Sequence, residues 1–200
     1  LTAPVGLTEG MGYEFSFKAS AKSSSYPEVL EVKYGKDDTP DSFTSIMPPT
    51  TLDNPASEWK DFTFRLPVYD GGDYRFGFHA MSDKFQVSIM IDDISVKELC
   101  HLEAPAEVES VKGSSAPDGQ LAAVVEFDAP TQDFLGNELK DLSKIELIRA
   151  DGEVAATIDD VSPGQHCIMT DEDAVNGINI YTVMPYNTKG HGLPTQVKVY

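Results

Sequence analysis

Apolar residues recur at every second position along this chain, and that period restricts the fold more than any other feature. Tyr13, Phe15 and Phe17 alternate with Glu14, Ser16 and Lys18. Leu30, Val32 and Tyr34 alternate with Glu31 and Lys33 until Gly35 ends the run. Phe62, Phe64 and Leu66 alternate with Thr63 and Arg65 and stop at Pro67, and Tyr74, Phe76, Phe78 and Ala80 alternate with Arg75, Gly77 and His79. A period of two puts all the apolar side chains of a run on one side of an extended backbone, so each run predicts an antiparallel strand with one face on a core and one in water. The run Val87 to Val96 differs, with Val87, Ile89 and Ile91 on one face and Met90, Ile94 and Val96 on the other. Apolar on both faces, it predicts a central or covered strand. No segment carries a 3.6-residue apolar pattern, and the nearest approach to one, Phe134 to Leu142, reads as a loop. The predicted class is all-β.

Turn chemistry separates the runs. Asp70-Gly71-Gly72-Asp73 is a hairpin signal between two of them. Lys36 to Glu58 carries Pro40, Pro48, Pro49 and Pro55 with little periodicity and reads as a long surface loop. The composition shifts at Glu98 to Glu107, where Leu102-Glu103-Ala104-Pro105-Ala106-Glu107 has the small, polar, proline-bearing character of a linker. The β pattern then resumes, with runs at Leu121 to Phe127, Ile145 to Leu147, Val154 to Ile158, Ile178 to Tyr186 and Thr195 to Tyr200. Short strands at this density predict a second β-sandwich. The expected organisation is two sandwich domains in series, residues 1–101 and 102–200.

Charge removes whole classes of function. Fifteen Lys and Arg stand against 33 Asp and Glu, a formal net charge of −18. Phosphate backbones and anionic lipid repel such a chain, so neither a nucleic-acid partner nor a polybasic membrane module is expected. No apolar run approaches the ~20 residues of a membrane span, and insertion into a membrane is not expected either. The first residue is Leu1 rather than Met, as in a mature or excised piece of a longer protein.

The second half resembles a fibronectin type III domain. The resemblance rests on the opening Ala104-Pro105-Ala106-Glu107-Val108, the strand Leu121 to Phe127, and Tyr181-Thr-Val-Met-Pro-Tyr-Asn-Thr-Lys-Gly-His-Gly192. It implies that Tyr181 is a tyrosine-corner residue whose hydroxyl bonds back to the main chain. Phe127 stands where the family often has Trp.

The first half resembles the jelly-roll modules of secreted bacterial adhesins, the cleaved-adhesin or choice-of-anchor type related to MAM and galactose-binding-like domains. The pieces that match are Gly12-Tyr-Glu-Phe-Ser-Phe17, Glu28-Val-Leu-Glu-Val-Lys-Tyr-Gly35, Tyr74-Arg-Phe-Gly-Phe-His-Ala-Met-Ser82 and Ile91-Asp-Asp-Ile-Ser-Val96, in that order. The resemblance implies one or two further strands ahead of Leu1 and a secreted or surface-attached protein of a Bacteroidetes-like bacterium. It also implies extracellular or cell-surface localisation, and a glycan or a host or cell-surface protein as partner.

Candidate chemistry is sparse. Asp92 and Asp93 are adjacent on a strand and point to opposite faces, so one of them meets the apolar layer and needs a hydrogen bond, an ion pair or a metal. In the modules this half resembles, an Asp at this place helps to hold structural Ca²⁺, which makes Asp92 and Asp93 the candidate metal ligands. Trp59, ahead of the Phe62 strand, is the candidate sugar platform, because the face of a sugar ring is apolar and stacks on an indole; a packed strand-end residue is the plainer reading. Tyr26 in the Ser-rich loop and Phe43 in the Pro-rich loop are further candidate platforms, or else loop anchors. The acidic runs Asp37-Asp38, Asp159-Asp160 and Asp171-Glu172-Asp173 read as solvated surface. The four histidines lack metal-ligand spacing. Cys100 and Cys167 fit either one disulfide or two separate thiols. With no GxSxG or HExxH motif in the sequence, the chain is expected to be a non-catalytic binding or adhesion region. The resemblance of the first half to galactose-binding-like folds implies carbohydrate as the first ligand class. The alternatives are a protein–protein adhesion module, or a spacer within a secreted protease or glycosidase.

Overall fold

The computed structural model describes residues 1–83, 88–117 and 120–200. The chain forms two compact units, Leu1–Glu98 and Leu99–Tyr200. Both are antiparallel β-sandwiches, and the one regular helical element among the described residues is a 3₁₀ turn at Pro40–Ser42.

The first unit faces two sheets against each other. One has the order β1-β6-β3-β4, from β1 (Val5–Leu7), β6 (Gly72–Ala80), β3 (Glu28–Gly35) and β4 (Thr44–Leu52). The other has the order β5-β2-β7, from β5 (Lys60–Val68), β2 (Met11–Ala21) and β7 (Ile89–His101). The alternating aromatics meet between the sheets. Phe15 and Phe76 stack across the interior with ring centroids 4.2 Å apart, and Phe17 packs edge-on to Phe78 at 5.2 Å. On the opposite side of the β2–β5 pair the water-facing residues match in charge, with Glu14 opposite Arg65 and Lys18 opposite Asp61.

Two expectations for this unit are corrected. The Pro-rich stretch holds a strand, β4, rather than one continuous loop. Pro48 and Pro49 lie in an edge strand, where a missing N–H removes no ladder bond, and the register shifts along β3 opposite them. The strand that is apolar on both faces, β7, is an edge strand of its sheet, and Ile94 is exposed. Ile89 and Ile91 pack on the core at odd positions and Val96 at an even one. Between them Asp93 takes a left-handed backbone (φ 50°), which shifts the phase of the alternation as a bulge does. What looked like two apolar faces is one face with a step in it. Val87, part of that run, lies outside the described residues.

The second unit pairs β8 (Glu109–Ser115), β9 (Ala123–Asp128) and β12 (His166–Asp171) in the order β12-β9-β8. Its other sheet runs β11-β10-β13, with β14 and β15 also on β13; these are β10 (Lys144–Arg149), β11 (Val154–Asp159), β13 (Asn179–Asn187), β14 (Gly190–His191) and β15 (Thr195–Val199). Phe127, Val125, Ile145, Leu147, Tyr181 and Val183 form its centre.

The expected linker is not a linker. Leu102 and Ala104 are buried, the Ala104 carbonyl accepts from Phe134 N–H, and the Pro105 carbonyl accepts from Leu193 N–H at 2.9 Å. Gly192 is required there, because a Cβ would stand 2.1 Å from the Pro105 carbonyl oxygen. Cys100 joins Ala104 and Leu193 in one small cluster, whereas Cys167 sits in the main core. The two are buried thiols with no bridge between them.

Candidate functional site

The strand ends of the first unit gather its loops at two poles. At one pole β2 runs out at Ala21 and β3 begins at Glu28, while β4 ends at Leu52 and β5 begins at Lys60. Trp59 stands directly before β5 and keeps 40% of its surface exposed. The segment that leads to it is tied to the end of β2: the Ser20 hydroxyl donates to the Pro55 carbonyl at 2.7 Å, and the Asn54 side-chain amide donates to the carbonyls of Ala19 and Glu58. Lys60 Nζ meets Asp53 Oδ1 at 2.6 Å, and this contact holds the Asp53 carboxyl below its usual range. Tyr26, 53% exposed, lies in the loop between β2 and β3 at the same pole.

Phe43 is placed differently. It is buried, and a Cβ on Gly35 would stand 2.3 Å from its ring. The ring lies on the bare backbone of Gly35 and Gly77 and anchors the loop ahead of β4, so it is no open platform. It lines a cavity of about 250 Å³ with Phe78, Asp41, Lys33 and His79. On the same face of β3 and β6, Lys33 Nζ and His79 Nδ1 each lie 3.1 Å from Glu31 Oε2, and together they depress the Glu31 carboxyl, with His79 the larger cause.

The proposed calcium ligands do not come together. Asp92 and Asp93 are both exposed, so neither meets the apolar layer. Asp93 Oδ2 pairs with Lys18 Nζ at 2.8 Å, and Asp92 Oδ1 accepts the Asp93 N–H at 2.8 Å. The left-handed residue turns the pair out of strand geometry, which removes the premise of opposite faces. Among the described residues no group of three or more His, Cys, Asp or Glu side chains is arranged to hold a metal. The donor set at Asp92 and Asp93 does not fit Ca²⁺, which takes six to eight oxygens.

Sequence reasoning missed two clusters. Tyr34 and Tyr74 stack at 5.7 Å with Lys36 Nζ 5.3 Å from the Tyr74 centroid, and burial raises both phenols. Their place in the alternating runs marks them only as core. In the second unit, Asp171 is buried rather than solvated. It accepts two bonds from Arg149, at 2.8 Å from Nε and 2.5 Å from Nη2, one from the Tyr181 hydroxyl at 2.9 Å and one from the Asp173 N–H at 3.0 Å. The Tyr181 hydroxyl therefore bonds to a carboxylate and not to the main chain, because Asp171 comes inward at the end of β12 and occupies that place. The alternation Cys167, Met169, Asp171 along β12 is the signal that would have found it. Burial first, and then the Asp171 carboxylate, raises the Tyr181 phenol.

No protein-family model matches the chain, and no curated protein matches it either. Solved structures do. One, described as "CBM4 structure and function", is 26% identical with a TM-score of 0.36 over 48% of this chain and 57% of its own. The CBM22-1 xylan-binding domain from Paenibacillus barcinonensis Xyn10C is 10% identical with a TM-score of 0.37 over 48% of this chain and 62% of its own. The CBM22-1–CBM22-2 tandem domain of the same protein is 9% identical with a TM-score of 0.35 over 98% of this chain and 74% of its own. The chain thus spans under two thirds of the first two. Scores this low leave function to be argued from the chain's own residues.

Proposed function

We propose that the first unit is a non-catalytic carbohydrate-binding module of a secreted or surface-displayed protein, with Trp59 as the platform for a sugar ring. The exposed indole carries this reading. The indole keeps 40% of its surface open, and an indole face matches the C–H face of a pyranose. The Asp53–Lys60 ion pair lies in the same segment of the chain, Lys60 directly after Trp59. Tyr26 offers a second ring at the same pole.

The second unit is read as a fibronectin-type spacer. The order β12-β9-β8 in one sheet and β11-β10-β13-β15 in the other supports that reading. A protein-adhesion role has its own support there. Leu121, Val175 and Ile178 are each at least 60% exposed, and Val175 lines two adjoining cavities, one with Leu121 and one with Ile178.

A glycan array that includes xylan oligosaccharides, probed with the 200-residue chain and with Trp59→Ala, tests the first reading. Specific binding that the variant loses supports it. A folded chain that binds no glycan, or a variant that binds as well as the parent, overturns it.

A further inference from the structure

The chain holds five asparagines, and the structure engages the side chains of four. Asn54 is buried, its amide donates to the carbonyls of Ala19 and Glu58, and the next residue is Pro55, which has no N–H. The Asn137 amide donates to Asp133 Oδ2. Asn179 is held from both sides, its Oδ1 accepting the Val175 N–H and its Nδ2 donating to the Val175 carbonyl at 2.8 Å. The Asn187 amide donates to the Glu103 carbonyl, and the N–H that follows it, that of Thr188, is taken by Asp141 Oδ2.

Asn176 differs in each respect. It lies in the connection between β12 and β13, and both it and Gly177 are exposed. Among the described residues its side-chain amide has no hydrogen-bond partner, and the Gly177 N–H has no acceptor. Asn179 Nδ2 reaches the Gly177 carbonyl at 3.3 Å, so the turn is pinned on the far side of Gly177 while the Asn176–Gly177 peptide stays unclamped. Gly177 has φ 110°, and no atom among the described residues lies within 4 Å of where its Cβ would stand. The asparagine Cγ is within reach of the next residue's nitrogen, and the ring that would join them has five members. A side chain on that next residue crowds the approach, and glycine has none. A hydrogen bond on either reacting group would have to break first, and here neither group has one.

We propose that Asn176 is a site of spontaneous deamidation in which the Gly177 nitrogen is the nucleophile and water the co-reactant. The Gly177 nitrogen gives its proton to solvent and bonds to Asn176 Cγ. The Cγ–Nδ2 bond breaks, ammonia leaves, and a succinimide ring remains. Water then adds to one of the two ring carbonyls. Opening at Cγ gives aspartate, and opening at the main-chain carbonyl carbon gives isoaspartate, in which the main chain is longer by one carbon. Nothing is oxidised or reduced, and the net change is amide plus water to carboxylate plus ammonium. Either product places a negative charge beside Leu121, Val175 and Tyr200, which line one cavity with Asn176. That is the surface on which a protein-adhesion role rests, so the modification makes an apolar contact there less favourable. The chemistry itself depends on neither functional reading.

The test is incubation of the full 200-residue chain in heavy-oxygen water at mildly alkaline pH, with peptide mapping by mass at intervals. A synthetic peptide of residues 172–181 runs beside it as the reference without a fold. Asn176 is expected to convert at least tenfold faster than any other asparagine and within about tenfold of the peptide. The product should carry one heavy oxygen and contain isoaspartate, and the rate should rise with pH because the deprotonated nitrogen attacks. Gly177→Ala should slow conversion at least tenfold in the chain and in the peptide alike, so a disturbed turn in the variant does not cloud the comparison. An Asn176 that stays intact after the peptide has converted would overturn the proposal. So would another asparagine converting first, a product that is wholly aspartate, or a Gly177→Ala variant that converts at the parent rate.

Discussion

Replacing Arg149 with Met removes the partner of Asp171, a deeply buried charge of the second unit. Asp171 is 2% exposed, and the bonds from Arg149, then Tyr181 and the Asp173 N–H, hold its carboxyl down to about 2 against an ordinary 3.8. At about 1.4 kcal/mol per tenfold in proton affinity, these interactions contribute about 2.5 kcal/mol at neutral pH. The sign follows from the direction of the shift. A depressed carboxyl stabilises the fold above its unfolded value and loses that contribution as pH falls through its folded value, so the window runs from about pH 4 down to about pH 2. By pH 3 about half of it is gone. Arg149→Met keeps the aliphatic stem but strands the carboxylate, and should cost about 3 kcal/mol at pH 7. In the variant the carboxyl no longer resists protonation, so the gap to the parent should narrow by about 1 kcal/mol between pH 7 and pH 3. The assay is urea denaturation followed by hydrogen exchange at β10 and β13 amides, which report on this unit directly, whereas Trp59 lies in the other. A gap of the same size at both pH values would refute the electrostatic reasoning and leave only packing.

Tyr181→Phe removes one bond to the same carboxylate and should cost about 1.5–3 kcal/mol, read by the same exchange experiment. Gly192→Ala drives a Cβ into the Pro105 carbonyl and should destabilise the second unit by about 1–3 kcal/mol or prevent its folding, with calorimetry as the check. Phe15→Ala empties the centre of the first unit and should cost about 3–5 kcal/mol, seen as an earlier Trp59 emission transition. Asp93→Gly relieves a left-handed residue at a solvent-exposed position, and the same transition should move little or slightly upward.

The parts of the fold that were legible are those where one face is greasy and the other wet. The Phe15–Phe17, Leu30–Val32 and Phe76–Phe78 runs belong to strands because a period of two has no other comfortable solution. The edge strands were harder. β4 carries Pro48 and Pro49 and needs little apolar alternation at the rim of a sheet, and β8, reading Glu-Ser-Val-Lys-Gly-Ser-Ser, has almost none. Local sequence could not show that Asp93 steps the register of β7, since the step is a backbone choice and Asp tolerates it quietly. Trp59 was legible as a candidate because a lone tryptophan at a strand entrance stands out. The burial of Glu28 was less legible: it shares the parity of Leu30 and Val32, but a glutamate ahead of an apolar run reads as a solvated strand start. Asp171 was hidden by its neighbours: inside an acidic triplet it looks like surface charge, and the paired Arg149 lies 22 residues away in sequence.

The most direct test of the central claim uses the single tryptophan as its own reporter. The oligosaccharide that binds best on the array is titrated into the full chain while Trp59 emission is recorded. A sugar ring seated on the indole displaces water from one face, so the account predicts a saturable shift of the emission to the blue, weakened in Tyr26→Ala. Glycan binding that leaves Trp59 emission unchanged would contradict it and move the site elsewhere on the first unit.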